Sequence, residues 1–243
     1  MIYFRDSGNP DILTPPELLV KAASEMDVDF ELWCEDQTKV NQPHWAFDNY
    51  RIHGAMDYEV SHLFYTQPSW GLFFAERMGQ DRIKLLTYAV DEEIYPEVEA
   101  EKEYDLGFIG NFGDNDGRGD LFDFLKDKYN CFVSSTVPTR DIAKEYAKCK
   151  IILNPIRYEE INIRFFEALA CGVQLCSYSP ALNLFAEEGK HYMTYRDRKE
   201  LIEKIDLLLS EPELRKTIAT EARKEVLRRH TYKHRVKELL NFI

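Results

Sequence analysis

A chain of 243 residues is long enough to bury one large core or two smaller ones. Hydrophobic residues at 44% and charged residues at 30% are the proportions of an ordinary soluble globular protein. With 31 basic against 43 acidic side chains the net charge is −12, which argues against non-specific attraction to nucleic acid or an anionic membrane, so a phosphate-bearing ligand would have to be met by local donors.

The first five residues run into a charged loop, and no apolar run approaches a membrane span, so a soluble, cytoplasmic protein is expected. Short apolar stretches at residues 2–4, 30–34, 62–65 and 83–85 read as strands. Between them, residues 16–25 start with proline and carry Leu18, Leu19, Ala22 and Ala23 on one face, which predicts a helix; residues 68–78 predict another. Residues 90–103 are acidic, contain Pro96 and few large apolar side chains, and read as a linker.

Beyond the linker the alternation is more regular. Strands are predicted at 104–109, 131–134, 151–153, 173–177 and 192–194, and helices at 120–128, 139–149, 163–171 and 180–187. Residues 199–209, 211–228 and 231–242 are helical by periodicity. Such a repeat implies a parallel sheet covered by helices, with ligands beyond the carboxyl ends of its strands. The five cysteines, Cys34, Cys131, Cys149, Cys171 and Cys176, form no Cys-x-x-Cys pair and read as reduced thiols, with zinc a distant second account.

Three loops at predicted strand ends are chemically loaded. GFIGNFGDNDGRGD (107–120) places Gly110 and Asn111 after a strand and Arg118 just before a helix, where an anion is favoured. Its glycines do not match a G-x-G-x-x-G dinucleotide fingerprint, and a calcium loop would not put Arg118 at its fifth position and Leu125 at its twelfth. A plain surface turn is the bland alternative. ILNPIRYEE (152–160) ends a strand on Asn154 and Pro155 and adds Arg157. INIRFFEALACG (161–172) starts a helix with Asn162 as its cap, followed by Ile163, and puts Arg164 in the first turn, where a cation is unfavourable unless an anion meets it. Glu167 shares a face with Arg164, so a helical ion pair competes evenly with a ligand site as the reason for both.

The pattern YDLGFIGN, Arg118, ILNP, INIRFFEALACG and RRHTYKHR, spread over residues 104–240, resembles the donor half of a GT-B glycosyltransferase, and more narrowly the CgeB-like (spore maturation) group. The resemblance implies an α/β fold of two Rossmann-type domains with parallel sheets, the N-terminal one truncated. It implies residues 1–95 as a short acceptor-side domain, 96–228 as the nucleotide-sugar domain, and 229–243 as a helix packing back on the first domain.

In such a protein Glu167 would bond the ribose hydroxyls, Arg118 would meet the diphosphate, and backbone amides around Asn162, Ile163 and Arg164 would cradle the same phosphates. Gly110, Asn111 and Asn154 complete that donor set. Glu159, separated from Glu167 by seven intervening residues, would be the counterpart of the glutamate that contacts the donor sugar. The acceptor side would draw on Asp36 and His53, with His44 and Asp57 as further candidates. The donor would be a uridine or guanosine diphosphate sugar and no cofactor is expected. The acceptor would be a hydroxyl of a glycan, a protein or, less in keeping with the charge, a modified nucleic-acid base.

A second copy or a partner could complete the short first domain. Two alternatives stay open at this point: a catalytically degenerate interaction module, and a metal-dependent GT-A transferase using the Asp27–Asp29 or Asp114–Asp116 triplet. GT-B enzymes neutralise the leaving group with arginine, lysine and helix dipoles instead, so metal independence is expected.

Overall fold

A computed structural model describes residues 15–26, 62–111, 117–156 and 161–243. The expected strands at 2–4 and 30–34 lie outside them, as do Asp27, Asp29, Cys34, Asp36, His44, His53, Asp57, Asp114, Asp116, Arg157, Glu159 and Glu160. The chain divides into two compact units, residues 1–87 with 235–243, and residues 88–234.

In the first unit, helix α1 (Pro15–Glu25) buries Leu18, Leu19, Ala22 and Ala23, the stripe read from the sequence. Strands β1 (Leu63–Tyr65) and β2 (Ile83–Leu85) pair in parallel, joined by a turn of 3₁₀ helix at Pro68–Trp70 and helix α2 (Gly71–Met78). Phe242, from the end of the chain, packs edge-on against Phe64 at 5.7 Å and His62 at 5.4 Å. Arg235 is buried and donates to the Thr87 carbonyl at 3.0 Å while pairing with Glu238 at 2.9 Å, so its charge is met where it is desolvated.

The second unit is built on five parallel strands: β3 (Tyr104–Ile109), β4 (Cys131–Ser134), β5 (Cys149–Asn154), β6 (Gln174–Ser177) and β7 (Met193–Tyr195), ordered β4-β3-β5-β6-β7. The last four residues of both β3 and β5 are buried, which is why these strands read as near-continuous apolar runs. Helices α3 (Arg118–Lys126), α4 (Ile142–Ala147), α5 (Ile163–Cys171), α6 (Arg198–Ser210) and α7 (Pro212–Arg229) cover the sheet.

Helix α5 buries Phe165, Phe166, Glu167, Ala168, Leu169 and Ala170, because it is packed by β5 and β6 on one side and by α7 on the other. Each large apolar side chain buried there contributes about 1.5–3 kcal/mol relative to exposure. The fully buried positions of α7 form a narrow stripe, Ile218, Ala222 and Val226, with Leu214 and Ala219 partly buried beside it and most of the remaining residues polar. Asp197 caps α6 by accepting from the Glu200 amide at 2.8 Å. Helix α8 (Tyr232–Leu240) closes the chain and passes from the second unit into the first.

Several expected elements differ in detail. Residues 139–149 are a short 3₁₀ turn, then α4, and Cys149 already belongs to β5. Residues 180–184 form a 3₁₀ rather than an α-helix. The linker expected at 90–103 starts as packed structure. Ala89, Val90 and Tyr95 are fully buried, and Val90 bridges to Thr231 through bonds to His230 and Tyr232. Composition registered the acidic residues there and missed the few side chains that carry the packing.

Candidate functional site

The chain leaves β3 to one side for β4 and returns to the other side for β5, so the strand order reverses between β3 and β5. At such a reversal the two exit loops splay apart and leave a crevice beyond the carboxyl ends. The residues at this crevice are Gly110 and Asn111 after β3, Asn154 and Pro155 ending β5, and the start of α5. The described parts of the three loops expected from sequence to be chemically loaded therefore lie at the same edge of one sheet.

Two guanidinium groups span this reversal. Arg164 donates Nε to the Ile109 carbonyl at 2.6 Å and Nη1 to Asn154 Oδ1 at 3.4 Å, tying the end of β3 to the end of β5. Arg118 donates Nη1 to the Asn111 carbonyl at 2.9 Å, and Nε and Nη2 to the Pro155 carbonyl at 3.1 and 2.7 Å. Both lie near the Phe108 ring, with their guanidinium carbons 4.4 Å (Arg164) and 5.8 Å (Arg118) from its centroid. Burial, with the neighbouring Arg164 charge adding to it, lowers the Arg118 pKa to about 10. Two like charges concentrated at a desolvated strand edge gain from the arrival of an anion.

The amino end of α5 is built to hold still. Asn162 Oδ1 accepts from the Phe165 amide at 3.0 Å as the cap, and its amide pairs reciprocally with that of Asn154, each Nδ2 donating to the other's Oδ1 at 3.1 Å. Asn154 is fully buried, so this exchange satisfies a group that would otherwise be costly to enclose. On the far side of β5, Ser177 Oγ accepts from the Ile156 amide at 2.6 Å and donates to its carbonyl at 3.1 Å, fixing the loop after Pro155.

Glu167 sits one turn into α5, buried, and accepts from the Tyr95 hydroxyl at 2.5 Å. The ion pair that sequence offered as one reading of Arg164 and Glu167 does not form: Arg164 turns to Ile109 and Asn154, and Glu167 turns to Tyr95. Burial raises the Glu167 pKa, against the hydrogen bond from Tyr95 and the Arg164 charge, which act to lower it. Burial, then the Glu167 charge, raises the Tyr95 pKa well above the usual phenol value.

Of the residues predicted from sequence, Gly110, Asn111, Asn154, Asn162, Ile163 and Arg164 fall at the ends of β3 and β5 and the start of α5, Arg118 opens α3 and reaches the same edge through its side chain, and Glu167 lies one turn into α5. Asp36, His53 and Glu159 lie outside the described residues. Sequence reading missed Tyr95, Phe108, Ser177 and Arg223. Tyr95 stood in a stretch read as linker, and Arg223 in a segment read as helical by periodicity. Among the described residues no group of histidine, cysteine or carboxylate side chains has metal-ligating geometry, and no helix is long and apolar enough to cross a membrane.

Residues 92–241 match the glycosyl transferase-like family. None of the curated proteins compared matches the chain in sequence. Among solved structures, Anabaena HepE with UDP and glucose is 14% identical over 94% of this chain and 75% of its own, with a TM-score of 0.64. Sucrose-phosphate synthase from Thermosynechococcus elongatus is 13% identical over 84% of this chain, with a TM-score of 0.63, and S. aureus TarM is 13% identical over 85%, with a TM-score of 0.60. The chain spans 63% of that synthase and 48% of TarM. At these identities the likeness speaks to fold, an α/β architecture of the GT-B kind. The family match takes in well over half of the sequence, including β3, β5, α5 and the loops between them, and the chain belongs to the glycosyl transferase-like family.

Proposed function

We propose that the protein transfers a sugar, a hexose in the first instance, from a nucleotide diphosphate sugar to a hydroxyl acceptor without a metal ion. Within its family we assign it to the CgeB-like group. The observation that carries the reading is the pair Arg118 and Arg164, each anchored on both sides of the strand-order reversal, beside the capped start of α5. A departing diphosphate develops charge at its bridging oxygen. Preorganised guanidinium groups and helix amides stabilise that charge without reorganising, which is the largest contribution available to this reaction.

In this reading Arg118 and the amides of Ile163 and Arg164 meet the diphosphate, Gly110 and Asn111 let the backbone approach it, and Glu167 accepts from the ribose. Asn154 and Asn162 keep the start of α5 in place. HepE was solved with UDP and with UDP-glucose, and a uridine or guanosine diphosphate sugar is the donor proposed for this chain. The acceptor is a hydroxyl of a glycan, a protein or a modified base, with Asp36 or His53 as its base and Glu159 near the transferred sugar.

Calorimetric titration with UDP and GDP tests the donor half. Binding of one of them is expected, weakened by about tenfold or more in Glu167→Gln, as loss of a hydrogen bond to a charged group implies. Absence of binding to both, with Glu167→Gln unchanged, overturns the reading. Transfer that persists in EDTA supports a metal-independent reaction, and abolition by EDTA argues for the triplet-based alternative.

A further inference from the structure

The bond between Tyr95 and Glu167 is more rigidly framed than a buried pair needs. Tyr95 closes a tight turn, its amide bonded to the Asp91 carbonyl at 2.9 Å, while Asp91 Oδ1 accepts from the Glu93 and Ile94 amides at 2.9 and 3.4 Å. The turn is tethered through Val90, which exchanges backbone bonds with the chain at His230 and Tyr232. Arg223 then joins the two partners, donating Nη1 to the Tyr95 carbonyl at 3.0 Å and to the Ala170 carbonyl of α5 at 2.5 Å. One guanidinium thus fixes both the residue that donates and the helix that carries the acceptor.

The hydrogen bond engages Oε1 of Glu167. Oε2 of Glu167 is not among the enclosed polar atoms of the described residues that lack a partner, and no hydrogen bond to it is formed within the described chain, so it is open to solvent. Glu167 itself keeps 7% exposure. The carboxylate therefore has one oxygen committed inward and one left for an incoming donor.

We propose that Tyr95 is a positioning residue for ribose recognition: by holding Oε1 of Glu167 it orients Oε2 toward the diol of a bound ribonucleotide and sets the preference for ribose over 2′-deoxyribose. This rests on the reading of Glu167 as the ribose acceptor. The phenol touches the carboxylate rather than the ligand, and its role is exerted through the angle at which that carboxylate is presented.

The test compares affinities for UDP and 2′-deoxy-UDP, or the guanosine pair if that base is bound, in wild type, Tyr95→Phe, Arg223→Lys and Glu167→Gln, with melting temperature followed in each. Wild type is expected to prefer the ribonucleotide by on the order of tenfold, the scale of one hydrogen bond to a charged group. Tyr95→Phe should reduce the preference to about threefold or less by weakening the ribonucleotide, with 2′-deoxy affinity within about twofold of wild type.

Arg223→Lys loosens the frame without touching carboxylate or ligand and should lower the preference in the same direction. It carries the test if Tyr95→Phe does not fold. Equal loss of both affinities in Tyr95→Phe, or an unaltered preference in the variants that fold, overturns the positioning role while leaving Glu167 in place. A preference that survives Glu167→Gln overturns the ribose reading of Glu167, and this inference with it.

Discussion

Gly110 and Arg164 share one space: a Cβ at residue 110 would lie 1.6 Å from Nη2 of Arg164. The glycine also holds φ at +149°, a conformation that side chains rarely adopt. The absence of a side chain at 110 is thus what lets the Arg164 guanidinium lie against β3. Gly110→Ala should expel that guanidinium and strain the backbone, costing about 1–3 kcal/mol of stability for the backbone conformation alone. Chemical denaturation reads the stability loss. A parallel fall in UDP or GDP affinity shows that the displaced guanidinium belongs to the anion site.

The reciprocal amides of Asn154 and Asn162 make a second prediction. Asn162→Ala removes the cap of α5, worth about 1 kcal/mol, and leaves a fully buried Asn154 amide without its partner, worth about 1–3 kcal/mol more. Asn162→Ser keeps a capping oxygen and should recover the first part only. A double-mutant cycle between positions 154 and 162 is expected to return a coupling of about 1–3 kcal/mol in denaturation midpoints, because the two groups satisfy each other.

How much of this could be read from the sequence depends on the kind of signal. The parallel sheet was legible because strands buried on both faces, such as LGFI and IILN, are apolar runs with turn residues at their ends. The α5 site was legible because Asn162, Arg164 and Glu167 interrupt an otherwise apolar helix start. What stayed hidden depends on contacts between residues far apart in the chain. Tyr95 reaches Glu167 across 72 positions and Arg223 reaches Tyr95 across 128, and nothing local marks either. The Arg164–Glu167 spacing suggested an ion pair, yet the Ile109 carbonyl and Tyr95 hydroxyl won because Glu167 is buried and Arg164 only partly exposed, where oriented bonds outweigh bare proximity.

The like charges at the strand edge predict how anions act. Arg118 is held below its ordinary pKa by burial and by Arg164, so binding a diphosphate relieves a repulsion that the free protein carries. Inorganic pyrophosphate alone should raise the melting temperature, and uridine or guanosine alone should raise it far less. Arg118→Gln should cost about 1.5–3 kcal/mol of diphosphate affinity, the range of a charge-assisted hydrogen bond, while leaving nucleoside affinity unaltered. Equal stabilisation by nucleoside and diphosphate would remove the argument for this edge as the anion site.

The raised pKa of Glu167 predicts a pH dependence with a definite sign. Burial lifts the folded carboxyl above the ordinary value of 4.5, so at pH values between the two the folded state holds a proton that the unfolded chain has released. Stability contributed by this residue is therefore present below about 4.5 and falls as pH rises through the window up to the folded pKa. Glu167→Gln removes the titration, so the difference in unfolding free energy between wild type and variant should decline across that window and be flat on either side. Nucleotide binding runs the other way, since a ribose hydroxyl is best accepted by the ionised carboxylate. Affinity for UDP or GDP should rise with pH over the same window in wild type, relative to Glu167→Gln, in which only the ligand's own phosphate titrates. Tyr95→Phe withdraws a bond that lowers this pKa, so the rise should move to higher pH in that variant.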